Sequence, residues 1–135
     1  MRLLIVIDHP DPQSFTHATA QSFADGAQST GAEIEIADLH AEGFSPVWML
    51  ADQRQYDLKK TPEDVLQEQS RLECADALCL VFPLYWFGMP AMLKGWIDRV
   101  FTFGWAYDQL EHPQKSMLPA RHCTLLIPAA GNPNR

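Results

Sequence analysis

Apolar residues fall into two periods along this chain. From Leu3 to Ile7 and from Ala77 to Phe82 they run without a break, which is the pattern of a parallel strand covered on both faces. Cys123-Thr124-Leu125-Leu126-Ile127 predicts a further strand. Glu33 to Leu39 instead alternates, as a half-exposed edge strand does. Between these runs the spacing turns helical. Phe15, Ala18, Ser22, Phe23 and Ala27 follow Ser14, a good N-cap, and Gly31 closes the unit. Met92, Leu93, Trp96, Ile97, Val100 and Phe101 follow Pro90 in the same way. Thr61-Pro62-Glu63-Asp64 reads as a helix start, with Thr61 as the cap, proline in the first position and acids in the first turn. Residues 40–62 are mixed, and Gly43-Phe44-Ser45-Pro46 is a turn-rich link. Strands alternating with helices predict a mostly parallel sheet with right-handed crossovers. No repeat, low-complexity tract or linker divides the chain, so residues 1–135 read as one domain.

An open sheet of this kind binds ligands beyond the carboxyl ends of its strands, where the strand order reverses. The chemistry is therefore expected in three loops. The first carries His9, Gln13, Ser14, Phe15 and Thr16 into a helix N-terminus, where unpaired amides and the helix dipole favour an anion. It reads as a phosphate cradle, or more simply as a capped turn. The third strand is followed by Pro83, Leu84, Tyr85, Trp86, Phe87 and Gly88. Consecutive large aromatics at a strand end need burial from somewhere, by a flat conjugated ligand or by a packing or dimer contact. The last loop, Ala129-Ala130-Gly131-Asn132, has small residues that let a ligand approach the backbone.

Charge and composition narrow the partners. Ten Lys+Arg against seventeen Asp+Glu give a net charge of −7, which argues against nucleic acid or an anionic membrane. No apolar run reaches the roughly 20 residues of a membrane helix, and Asp8 ends the N-terminal run too early for a signal peptide. Cys74, Cys79 and Cys123 show no CxxC and no metal-ligand spacing. They read as core fillers of a protein in a reducing cytoplasm. His17, His40, His112 and His122 lack partners at metal spacing and read as surface or turn residues, so no metal is expected. Lys94 and Asp98 read as a surface pair, and Trp48 and Met49 as neighbours of the pocket mouth.

The segments Leu4-Ile5-Val6-Ile7-Asp8-His9-Pro10-Asp11-Pro12-Gln13-Ser14-Phe15, Asp38-Leu39 with Gly43 to Val47, and above all Phe82 to Phe101 ending in Gly104-Trp105-Ala106-Tyr107 carry a family likeness. In these the chain resembles the NAD(P)H:quinone oxidoreductase (DT-diaphorase-like) family of flavodoxin-like flavoproteins. The resemblance implies an α/β doubly wound parallel sheet of order 2-1-3-4, with the fifth strand and last helix missing, and hence a C-terminally incomplete domain that binds flavin more weakly than full-length relatives. It implies FAD, with FMN as the alternative, and NAD(P)H as co-substrate. His9, Gln13, Ser14, Phe15 and Thr16 match the segment on the phosphate side. Pro83, Leu84, Tyr85, Trp86 and Phe87 match the segment along the isoalloxazine ring. Ala130 and Gly131 match a third loop that is threonine-rich in relatives. Trp86, Phe87 and Tyr107 match substrate-pocket walls, Tyr107 across a homodimer interface. The implied reaction is a two-electron ping-pong hydride transfer from NAD(P)H through flavin to a quinone-like acceptor. The tyrosine and histidine that assist it in relatives have no counterpart in this chain. A flavin-binding regulatory subunit of a potassium-efflux system and a non-catalytic interaction module are the alternatives.

Overall fold

A computed structural model of the chain describes residues 1–58, 60–107 and 122–128. Four strands, β1 (Arg2–Ile7), β2 (Glu33–Asp38), β3 (Ala77–Val81) and β4 (His122–Leu126), form one sheet of order β2-β1-β3-β4. Every pairing is parallel. Four helices accompany them among the described residues: α1 (Phe15–Ser29), α2 (Leu50–Leu58), α3 (Glu63–Cys74) and α4 (Ala91–Val100).

The unbroken apolar runs do what their composition requires. Leu4, Val6, Leu80 and Phe82 face one layer, where they meet Leu72 of α3 and Leu93, Trp96 and Val100 of α4. Leu3, Ile5, Ile7, Cys79 and Val81 face the other, where they meet Ala20 and Ala24 of α1. Both faces of β1 and β3 are thus covered, and the sheet is doubly wound as expected for a flavodoxin-like fold. The chain leaves β1 toward β2 on one side and toward β3 on the other. The reversal lies between β1 and β3, and the loops after both strands open there.

The structure departs from the sequence reading in several places. Residues 50–58 form α2 inside the stretch read as an irregular link. Its inward face is polar: Asp52 and Gln55 are buried, and both side-chain polar atoms of Gln55 lack a hydrogen-bond partner. Apolar periodicity is absent because an ion pair from Asp52 to Arg99 anchors this helix instead. Pro62, not Thr61, is the N-cap of α3, and it has no side-chain cap. Only Cys79 is a core filler; Cys74 and Cys123 are exposed, one at the end of α3 and one on β4. Trp48 and Met49 are also exposed. Lys94 and Asp98 form the expected surface pair on α4.

Gly95 shows how closely α4 approaches the link after β2. A Cβ at this position would overlap the carbonyl oxygen and Cβ of Pro46 and lie 2.7 Å from its Cα. A helical Gly→Ala change ordinarily gains up to about 1 kcal/mol. Here the obstacle is backbone, so overpacking outweighs propensity. Gly95→Ala is expected to lower stability by about 1–3 kcal/mol, read as a shift in the urea midpoint.

Candidate functional site

The loops after β1 and β3 leave adjacent strands, and the Asp8 amide donates to the Val81 carbonyl at 3.0 Å where they part. β4 lies beside β3, with the Phe82 amide on the Leu126 carbonyl at 3.2 Å. The three strand ends therefore sit in a row. Of the loop after β4, residues up to Pro128 are described; Ala130 and Gly131 lie outside the described residues.

The first loop is folded by its own polar groups. Asp11 donates its amide to Nδ1 of His9 at 3.0 Å and accepts the Gln13 amide on Oδ1 at 2.9 Å. Its carbonyl accepts the Ser14 amide at 3.1 Å. Ser14 is then the N-cap of α1 in extended conformation, its Oγ accepting the His17 amide at 3.2 Å. The amides of Phe15 and Thr16 have no partner among the described residues. They are the free donors an anion would meet. The Phe15 ring is exposed, and the Thr16 side chain is buried.

The loop after β3 turns on two residues. Tyr85 and Gly88 exchange both backbone hydrogen bonds, each 3.1 Å, which leaves Trp86 (φ 49°) and Phe87 (φ 62°) in the left-handed region. A hairpin turn with positive φ at both centres favours Asn and Gly. Two bulky aromatics there carry strain of the order of 1–2 kcal/mol each. They also stand in solvent, with Trp86 96% and Phe87 95% exposed. Leu84 and Tyr85 add half-exposed apolar surface beside them. A strained turn that presents two ring faces to solvent, at the sheet's point of reversal, is the strongest indication of a ligand site in the chain.

Behind these loops lie two His–carboxylate pairs. Asp8 is buried at the end of β1; its Oδ2 accepts the Leu93 amide at 2.7 Å and its Oδ1 lies 2.9 Å from His40 Nε2. Leu93 is in the first turn of α4, whose own N-cap, Pro90, has no side-chain cap. Asp8 therefore caps the helix that follows the aromatic turn. Asp38 ends β2. Its Oδ2 lies 2.8 Å from His17 Nε2, and its Oδ1 accepts the amides of His40 and Ala41. Burial pulls the Asp38 carboxyl upward, but the hydrogen bond and charge of His17 and the two amides outweigh it, and the net shift is downward. His17 and His40 are thus not plain surface residues, in contrast to the reading from sequence. Nothing in the local sequence pairs them with carboxylates. The one signal on offer was an aspartate closing each of two neighbouring strand regions. No cluster suited to a metal occurs among the described residues.

Tyr107 closes a second tight turn, where the Gly104 amide, at a residue with φ 80°, donates to the Tyr107 carbonyl at 2.8 Å. Its ring packs edge-on against Phe103 at 5.9 Å.

Doubly wound sheet, order of strands, free α1 amides and aromatic turn together define a flavodoxin-like protein. A profile of the family described as a flavodoxin-like fold matches residues 1–135, and the chain belongs to that family. More particularly, it is 32% identical to NAD(P)H dehydrogenase [quinone] 1 of Cavia porcellus, over 97% of this chain and 54% of that protein. The solved NAD(P)H:quinone oxidoreductase from Methanothermobacter marburgensis superposes with a TM-score of 0.74 at 37% identity, over 79% of this chain and 56% of that one. The general stress protein 14 of Treponema denticola, solved in complex with FMN, superposes at 0.60 with 28% identity, over 93% of this chain and 60% of that one. The chain spans about half the length of the curated relatives it matches. No helix among the described residues is long and apolar enough to cross a membrane.

Proposed function

We propose that this chain carries the flavin site of an NAD(P)H:quinone oxidoreductase. The observation that carries the reading is the strained turn at Trp86 and Phe87, beside a helix N-terminus with two free amides. The residues fit a flavin at both ends. The amides of Phe15 and Thr16, with Ser14 and His9 alongside and Gln13 at the rim, would take the phosphate. Thr16 would contribute its amide rather than its buried hydroxyl. Pro83, Leu84, Tyr85, Trp86 and Phe87 would line the isoalloxazine ring, with Ala130 and Gly131 approaching from the third loop. We propose FAD as the bound form, with FMN, the flavin in complex with the Treponema denticola protein, as the alternative.

When bound, the flavin would supply two-electron chemistry, taking a hydride from NAD(P)H and passing it to a quinone-like acceptor in the same pocket. The protein's part is to hold the ring, exclude water and shape the acceptor's slot with Trp86 and Phe87. We further propose a homodimer that covers the exposed Leu84–Phe87 surface and brings in Tyr107 of the partner. The three free cysteines accord with a cytoplasmic setting.

The test is the visible spectrum of the purified chain, followed by mass identification of any released cofactor and by NADH or NADPH oxidation with a simple benzoquinone. A yellow protein that oxidises either nucleotide bears the proposal out. A colourless protein that takes up no added flavin rejects it, and a flavin-loaded protein with negligible turnover points to the regulatory reading.

A further inference from the structure

Ser14, His17 and Asp38 form a hydrogen-bonded chain in the wall of a cavity of about 470 Å³, which Ile7, Gln21 and Ile36 also line. Its proton positions follow from the partners. Asp38 is held ionised, since its pKa is lowered, and a carboxylate only accepts. The proton of neutral His17 must then sit on Nε2, which is 2.8 Å from Asp38 Oδ2. That leaves Nδ1 as an acceptor, 2.9 Å from Ser14 Oγ. The Ser14 hydroxyl donates to it, while its oxygen accepts the His17 amide. With His17 neutral, Ser14 has no proton to offer a ligand. With His17 protonated, both ring nitrogens donate, Nδ1–H turns to Ser14 Oγ, and the hydroxyl proton is released toward the loop.

Resting on the flavin reading above, we propose that His17 is a positioning residue of the phosphate site: proton uptake on its Nδ1 frees the Ser14 hydroxyl to donate to the ligand's phosphate. Binding of a phosphate-bearing flavin is then linked to uptake of one proton from solvent. The surroundings leave this work to His17, because among the described residues the cavity lining contains no lysine or arginine. Among the described residues the other titratable groups facing it are few. Asp38 reaches it from β2. The ring of His9, with Asp11 against it, stands 6.4 Å away in the loop after β1. His40 and Asp8 lie behind Asp38, joined to it through the His40 amide. The sign is fixed by linkage: the bound state holds more protons, so affinity rises as pH falls.

The experiment titrates the chain, freed of any bound flavin, with FAD and with riboflavin, following flavin fluorescence at about pH 6 and about pH 8, the span over which imidazoles exchange their proton. FAD is chosen because its diphosphate does not titrate there, unlike a phosphate monoester, whose second ionisation lies near 6. Riboflavin has the same ring and no phosphate. The expected result is that FAD binds at least about fivefold more tightly at the lower pH, within the limit of about tenfold per pH unit that one proton allows, while riboflavin shows no such dependence. His17→Gln, which cannot take up the proton, flattens the FAD profile at the weaker affinity. Ser14→Ala flattens it too and guards against loss of fold in the first variant. His40→Gln keeps the slope. An unchanged slope in His17→Gln, or an equal slope for riboflavin, overturns the proposal while leaving the flavin site intact. Failure of both flavins to bind at either pH overturns the flavin reading itself, and this proposal with it.

Discussion

Arg99→Met is expected to destabilise the fold by about 3–5 kcal/mol, the range for removing one partner of a buried ion pair. Arg99 and Asp52 are both 0% exposed, with Nε 3.0 Å from the Asp52 carboxylate. The same guanidinium bonds Asp64 at 2.6 and 3.1 Å and the Ser45 carbonyl at 2.8 Å, and stacks over the Phe44 ring at 5.3 Å. One side chain on α4 thus joins α2, the start of α3 and the link after β2. The main loss comes from Asp52, left as an uncompensated charge where water cannot reach it. The outer contact to Asp64 contributes little, since that carboxylate is nearly half exposed. A second change sharpens the test. Arg99→Met with Asp52→Leu removes both charges, and apolar replacement of a whole buried pair is often close to neutral. Recovery will be partial, because Asp52 Oδ2 also accepts the Met49 amide at 2.7 Å and so caps α2. Thermal or urea unfolding of the two variants measures this. Equal stability of Arg99→Met and the parent chain would show that α2 is not anchored here.

Acid should act on the same structure from outside. The Asp64 carboxyl is pulled up by burial, but the hydrogen bonds and charge of Arg99 outweigh this, and its pKa ends below the usual value, as for Asp38. A depressed carboxylate adds stability above its unfolded pKa, and that stability is lost as pH falls through the folded one. Both losses begin in the ordinary carboxylate range, run down to the lowered folded pKa and leave the neutral region untouched.

Why β1 and β3 were legible in the sequence and α2 was not follows from the same chemistry. A strand covered on both faces must be apolar at every position, and Leu3 to Ile7 is. α2 turns Asp52 and Gln55 inward, so its apolar period vanishes and only Arg99, far along the chain, explains it. The aromatic run after β3 stood out as an anomaly of composition, but its positive φ values depend on a backbone turn that Trp and Phe do not favour. The partners of His17 and His40 lie 21 and 32 positions away, and sequence spacing carries no trace of pairs formed by bringing strand ends together.

The aromatic turn yields the second large effect. Trp86→Gly and Phe87→Gly are each expected to weaken flavin binding by about 1–3 kcal/mol, the range for losing an aromatic platform under a flat heterocycle. That is roughly five- to 150-fold in the dissociation constant. The same changes should leave the fold intact or raise its stability by about 1 kcal/mol, because glycine adopts positive φ without the Cβ penalty. Neither ring supports the core, as both are almost wholly exposed. Trp86→Phe separates the two terms: it retains a ring and the strain, so affinity falls less and stability does not rise. Flavin fluorescence titration read beside thermal unfolding decides the matter. A packing plug would lose stability on truncation and leave affinity unmoved. A surface shaped for a ligand moves the two in opposite directions, because the strain held in the free protein is what presents the rings to the flavin.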